Sequence, residues 1–225
     1  LKSINPKLCY IVGSNESIQD SVLGEIGHLL PESDIIRFKS SSLSALSNDI
    51  CKLSATLDTV AIIHIDNLTD SISQLPSLFR NKIPLILFKT NELTEECWKI
   101  ITSAKKTILL SDTTKLSEQE KEKFSNLDIT TANIETIGNT AYPKILVACR
   151  KDDTLDAIAA IPFVAYNSAE FLIIDPSSVD NINRNIEIIK KGKGAIKQLV
   201  FLGGRFLFHE YDKELFATVM VKAWK

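Results

Sequence analysis

Short β-branched or Leu-rich runs alternate along this chain with amphipathic stretches. Runs of the first kind read as buried strands, and apolar residues recurring every three or four positions read as helices. The pattern predicts strands over residues 8–12, 35–38, 59–65, 85–88, 107–110, 134–137, 145–148, 171–174, 199–202 and 219–221. Helices fill the intervals. Ser117-Glu118-Gln119-Glu120 has the spacing of a capping box, in which the Ser hydroxyl takes the third amide of the helix and the Glu reaches back. It opens a polar helix running to about Asn126. A second helix over 179–190 is expected to end at Gly192 and Gly194, with Lys190, Lys191 and Lys193 near the negative end of its dipole. This alternation predicts an α/β fold of tandem βαβ repeats, Rossmann-like modules whose mostly parallel sheets are flanked by helices.

One sentence of this pattern is written twice. TDSISQLPSLFRNKIPLILF, residues 69–88, is echoed by LDAIAAIPFVAYNSAEFLII, residues 155–174. At a constant offset of 86 residues, Asp66 falls on Asp152, Asp70 on Asp156, Ile72 on Ile158, Pro76 on Pro162 and Asn81 on Asn167. Apolar positions agree as well, Val60 with Leu146, Leu78 with Val164, Ile86 with Leu172. A strand ending in small polar residues before a helix also recurs, at LCYIVGSNESIQDSVLGEI, KTILLSDTTKLSEQEKEKF and QLVFLGGRFLFHEYDKELF. The chain therefore reads as a first module over 1–106, entered midway, a shortened second over 107–198, and the start of a third over 199–225. Modules cut in this way are expected to leave an apolar face for further repeats or copies of the chain to cover.

Composition narrows the choices. With 225 residues, one large α/β sheet and two small domains are both open. A 44% hydrophobic and 24% charged content supports a packed core. A net charge of −2 gives no basic field for nucleic acid, and the longest apolar runs fall far short of the ~20 residues a membrane span needs. The start, Leu1-Lys2-Ser3, has neither an initiator Met nor a signal-peptide core and reads as trimmed or processed. Cys9, Cys51, Cys97 and Cys149 lack close pairs, so buried free thiols are expected in place of a disulfide frame or metal site. His28, His64 and His209 show no triad or metal-ligand spacing, and His64 reads as a structural residue of its strand. No catalytic constellation, cofactor fingerprint or metal site is expected.

The order of these pieces resembles the cell-wall-binding repeat 2 family, found in surface-layer and cell-wall proteins of Gram-positive bacteria, especially clostridia. Its Asp-Ala-Leu-x-Ala-x-Pro element is similar to Asp70-Ser71-Ile72-Ser73-Gln74-Leu75-Pro76 and, more closely, to Asp156-Ala157-Ile158-Ala159-Ala160-Ile161-Pro162. Its apolar strand resembles Pro84-Leu85-Ile86-Leu87 and Phe171-Leu172-Ile173, and its Ile-Gly-Gly strand end is best kept at Leu202-Gly203-Gly204. The family's Asp-Arg-Tyr-Glu-Thr-like stretch is missing after Arg37-Phe38-Lys39-Ser40 and after Thr136-Ile137-Gly138-Asn139, and the helix following Gly138 is dropped.

The resemblance implies a non-catalytic module at the cell surface that anchors a protein to an anionic wall polysaccharide. A cytoplasmic address stays open. Arg37 and Arg205, near strand ends, are expected to act as bidentate charge partners for the polymer, while Gly203 and Gly204 read either as a tight strand-to-helix turn or as a place where backbone amides approach the polymer. Asp70 and Asp156 read either as helix-start carboxylates that accept first-turn amides or as lining of a groove at the strand ends. Leu85, Ile86, Leu87, Phe171, Leu172 and Ile173 are expected to support the site from the core, and Pro76 and Pro162 to kink both helices alike. Two other readings stand beside this one: an assembly domain that kept the scaffold without polymer binding, and a small-molecule enzyme on the same type of sheet.

Overall fold

The structure is a computed structural model that describes residues 6–40, 42–54, 57–127, 129–131, 142–203 and 208–224. In chain order its elements are β1 (Leu8–Val12), α1 (Asp20–Leu29), β2 (Asp34–Phe38), α2 (Leu43–Cys51), β3 (Thr59–His64), α3 (Leu68–Ser71), α4 (Leu75–Arg80), β4 (Leu85–Phe88) and α5 (Glu95–Ser103). There follow β5 (Lys106–Leu109), α6 (Glu118–Ser125), β6 (Ile129–Thr131), β7 (Ile145–Arg150), α7 (Thr154–Tyr166), β8 (Glu170–Ile174), α8 (Val179–Lys191), β9 (Gln198–Phe201) and α9 (Glu210–Trp224). The architecture is α/β, with mostly parallel sheets flanked by helices. The chain divides into two compact units, one of residues Leu1–Ile65 and Pro84–Thr130, the other of Asp66–Ile83 and Thr131–Lys225.

In the first unit β1 and β2 pair in parallel, and a second sheet has the order β4-β3-β5-β6. Its central strand β3 is apolar without alternation, and Val60, Ala61, Ile62 and Ile63 are 0% exposed. That is what a parallel strand covered on both faces requires. Around it pack Ile86, Phe88, Cys97, Ile101 and Leu109, with the Trp98 and Phe124 rings 4.8 Å apart. Each such side chain withdrawn from water contributes roughly 1.5–3 kcal/mol. The edge strand β4 is guarded by α2, whose Ser47 hydroxyl accepts from the Leu87 amide at 3.0 Å. A paired edge amide offers no template to another chain.

In the second unit the order is β8-β7-β9, and β7 is again the buried centre. The written repeat is a structural one. β3 aligns Ala61 with Leu85 and β7 aligns Val147 with Phe171, the same register 86 residues later, and each central strand has a second parallel neighbour, Thr59 aligning with Lys106 and Ile145 with Gln198. The turns repeat too. Asn81 and Asn167 each donate from the side chain to the carbonyl four residues back at 2.8 Å, and Lys82 and Ser168 follow with φ of 54° and 49°. Ile83 and Ala169 then send their amides to Leu78 and Val164. The edge strand β8 has its Ile173 carbonyl taken by the Asn185 side chain at 2.9 Å.

The prolines do not kink alike. In α7, Pro162 sits inside one continuous 13-residue helix. In the first copy the helix is broken into α3, a 3-10 turn over Ile72–Gln74, and α4, where Pro76 lies in the first turn. Pro76 has no amide for the Ile72 carbonyl, and that carbonyl instead accepts from Leu75 in the tighter 3-10 pattern. The strand expected over 219–221 is also absent, because those residues belong to α9. Phe216 and Met220, four apart, share the face that enters the core, so helical spacing outweighs the β-branched run. The short β6 was missed, and the strand expected over 134–137 lies outside the described residues. Gly192 closes α8 for a packing reason: a Cβ there would overlap the Ile196 side chain.

All four cysteines are free. Burial pushes the Cys51 thiol up to about 11 and the Cys149 thiol up to about 12, and raises Cys97 as well. Cys9 is only half-buried. Native protein at pH 8 should therefore show one thiol reacting with Ellman's reagent within minutes and four in denaturant. Two or more fast thiols in the native protein would contradict this packing.

Candidate functional site

Open α/β sheets place ligands outside the carboxyl ends of their strands. In the second unit the ends of β7 and β8 frame a cleft of about 410 Å³ lined by Thr69, Arg150, Lys151, Asp152, Asp175, Pro176 and Ser177. Each wall is held from within. Arg150, the last residue of β7, points its fork at Asp152, with Nε to Oδ1 at 2.7 Å and Nη2 to Oδ2 at 2.5 Å. This bidentate pair holds the Asp152 carboxyl below the usual carboxylate range and raises the guanidinium. Lys151 donates its amide to the Ile174 carbonyl, joining the two strand ends at 2.9 Å. Its half-exposed ammonium stands 3.5 Å from Asp70.

The opposite wall is the turn from β8 into α8. The Asp175 carboxylate accepts from the Ser177 amide at 3.1 Å and its hydroxyl at 2.6 Å, which lowers the carboxyl's pKa. Ser178 caps α8 by accepting from the Asn181 amide, while Asn181 accepts from the amide of Asp175 and from the Asn185 side chain. The turn is thus tied to the start of α8 through Asn181, which accepts from Asp175, and through the Ser178 cap. Thr69 and Thr154 meet hydroxyl to hydroxyl at 3.2 Å on the remaining side. Charges of both signs thus alternate with hydroxyls around one concave surface. Such a surface suits a polyhydroxylated ligand bearing acidic groups, because hydroxyls pair with carboxylates while acidic groups meet Lys151.

The sequence-predicted residues divide. Asp70 reaches the rim of this cleft through Lys151, and Asp156 stands at the matching third position of α7. Neither caps a helix: the cap of α7 is Asp153, which accepts from the Asp156 amide, and that of α3 is Asn67, with no side-chain cap bond. Asp153 was in view as the residue three before Asp156, the spacing a cap requires. Ile86, Phe171 and Leu172 are buried core residues, and Leu85, Leu87 and Ile173 are partly covered. Gly203 follows β9 with φ of 104°, a backbone open mainly to glycine. Gly204 and Arg205 lie outside the described residues.

Arg37 stands in the first unit, with a side chain only 9% exposed. Its guanidinium donates to the Gly13 carbonyl at 2.9 Å, the Ile18 carbonyl at 2.5 Å and Asp20 at 2.7 Å. Those bonds pin the loop from β1 into α1 to the end of β2. Sequence reasoning passed over Arg150 and Lys151, although the offset that matched Asp66 with Asp152 also sets His64 against Arg150. His64, 3% exposed, meets the Thr90 hydroxyl at 3.0 Å and packs edge-on against Phe88. One copy has therefore buried at this position what the other spends on charge.

No family model matches the sequence, and no curated protein matches it either. Solved structures do. Cwp6 from Clostridium difficile superposes over 98% of this chain and 37% of its own with a TM-score of 0.73 at 15% identity. Cwp8 from Clostridium difficile gives 0.72 over 97% of this chain and 39% of its own at 16% identity. The chain has the fold of these clostridial proteins and spans well under half of either. Among the described residues no helix is long and apolar enough to cross a membrane.

Replacing Arg37 by Ala should lower stability by about 2–3 kcal/mol, since a mostly buried charged donor and three partners lose one another. Urea denaturation checks this. An unchanged midpoint would remove Arg37 from the frame of the β1–β2 layer.

Proposed function

We propose that this chain is a wall-associated module of a cell-surface protein that holds an acidic wall polysaccharide non-covalently, and that the cleft at the ends of β7 and β8 is a contact site. The observation that carries this reading is the cleft itself, in which a half-exposed lysine and hydroxyl groups stand at a strand-end crevice. The fold shared with two proteins named for the clostridial cell wall supports the location. Lys151 supplies a point charge for phosphate or carboxylate, and Arg150 adds positive potential beside it. Thr69, Ser177 and the carboxylates Asp70, Asp152 and Asp175 meet sugar hydroxyls. Arg205, with Gly203 and Gly204, remains proposed as a second contact, whereas Arg37 serves the framework. Retention needs no reaction, so the module is proposed to be non-catalytic.

Sedimentation of the protein with Gram-positive cell walls, before and after acid extraction of their secondary polymers and across a salt series, tests the reading. The expected result is co-sedimentation that salt weakens and extraction abolishes. Lys151→Ala should weaken it about tenfold, the loss of one charge-assisted contact worth ~1.5 kcal/mol. Arg205→Ala tests the second contact, and Arg37→Ala, assayed where it is folded, should bind as the parent does. Retention on extracted walls, or binding indifferent to Lys151→Ala, would overturn the assignment.

A further inference from the structure

Each copy of the repeat starts two parallel strands side by side, and the residues just ahead of them differ in charge. In the first unit these are Asp58, ahead of β3, and Lys105, ahead of β5. The Lys106 amide donates to the Asp58 carbonyl at 3.0 Å, and the Asp58 and Lys105 side chains form an ion pair at 3.2 Å. In the second unit Lys144 and Lys197 hold the same places, ahead of β7 and β9, and the Gln198 amide donates to the Lys144 carbonyl at 3.1 Å. Opposite charges have been replaced by like ones, and like charges set beside each other on adjacent strands repel.

More lysine gathers around this pair. α8 ends at Lys190 and Lys191, and the turn that follows adds Lys193 before Lys197 is reached. Backbone bonds join these segments: Lys193 donates its amide to Lys190 at 3.2 Å, Ile196 to Gly192 at 3.1 Å and Lys197 to Lys144 at 2.7 Å. A Cβ on Gly192 would come within 3.0 Å of the Tyr142 ring, so the turn also lies against the approach to β7. All five lysines are exposed, as is Tyr142. Among the described residues only Lys190 of the five has a carboxylate partner, Glu187 at 2.8 Å. The negative end of α8 accounts for Lys190 and Lys191 in its last turn but not for Lys144 and Lys197, which lead into strands. α5, which precedes β5 as α8 precedes β9, ends in Thr102 and Ser103 instead.

We propose that this face of the second unit is a docking surface for a linear polymer that carries repeated phosphate groups. Ammonium groups bind phosphate as point charges, and residues 142–144 and 190–197 contain no arginine whose planar fork would select a carboxylate. Spread over two segments, the lysines can meet several phosphates of one flexible chain at once, as a single small anion cannot. Tyr142 is the one exposed aromatic among them and Ile196 is 1% exposed, which leaves little apolar surface to enter a bilayer. The face lies at the amino ends of β7 and β9, whereas the cleft stands at the carboxyl ends of β7 and β8. The inference therefore does not rest on the polysaccharide reading.

Fluorescence anisotropy of a labelled long-chain inorganic polyphosphate, titrated with the intact chain across a salt series, tests it. The expected result is saturable binding whose log affinity falls with log salt at a slope of about −3, the release expected for about four neutralised charges. Lys144→Asp restores the opposite-charge pair of the first unit and should weaken binding about tenfold or more with the thermal melt unchanged. Lys191→Ala combined with Lys193→Ala should also weaken it about tenfold. Lys99→Asp, exposed on α5, changes the net charge by the same amount as Lys144→Asp and should bind as the parent does. No binding at low salt, binding that survives Lys144→Asp, or an equal loss on Lys99→Asp would overturn the proposal. Polyglutamate bound as tightly as polyphosphate would make this a surface for acidic peptides, and tighter capture by phosphatidylglycerol vesicles would make it one for membranes. Either result overturns the phosphate-chain assignment.

Discussion

A parallel strand buried on both faces is the constraint to which the rest of this molecule answers. β3 and β7 have no solvent face, so each needs a neighbour on both sides, a helical cover above and below, and crossovers long enough to return the chain. The order of a middle strand, then an edge strand, then the other neighbour satisfies those needs with one sequence pattern used twice. The same left-handed residue after Asn81 and Asn167 turns the chain from the helix into the edge strand, and the same register follows. What the edges then lack, side chains of α2 and α8 provide: Ser47 accepts from one edge amide, and Asn185 donates to one edge carbonyl.

The two copies share this frame and differ where nothing in the frame dictates the residue. At the end of the central strand, one has His64 buried against Phe88 and the other has Arg150 clamped to Asp152 beside an open cleft. On the outer helix face, one has Thr, Ser and Arg, the other Leu, Phe and Tyr. Both differences lie at strand ends and surfaces, where duplicated modules are free to diverge while the buried strands stay apolar. The proposed polymer contact at the strand ends belongs to the second copy.

Much of the fold was legible in the sequence because burial of parallel strands writes unbroken apolar runs, and β1, β4 and the capping box at Ser117 stand where the pattern put them. Residues 219–221 misled because a β-branched run weighs less than the spacing of Phe216 and Met220, which shows only once the core is known. Pro76 and Pro162 hold matching places in the repeat and differ in outcome, a 3-10 turn preceding the first while the helix runs on through the second. The site was less legible. An arginine near a strand end looks alike whether it faces a ligand or, as Arg37 does, three internal acceptors. Arg150 and Lys151 form a cleft only together with Asp175 and Ser177, and no local spacing announces that meeting.

The central claim is that the cleft at the ends of β7 and β8 holds wall polysaccharide, and backbone amide shifts during titration of the protein with purified acidic wall polymer test it most directly. The account predicts perturbations centred on Thr69, Arg150, Lys151, Asp152 and Asp175 to Ser177, with the Arg37 loop unmoved. Shifts confined to the Arg37 loop, or none at saturating polymer, would contradict it.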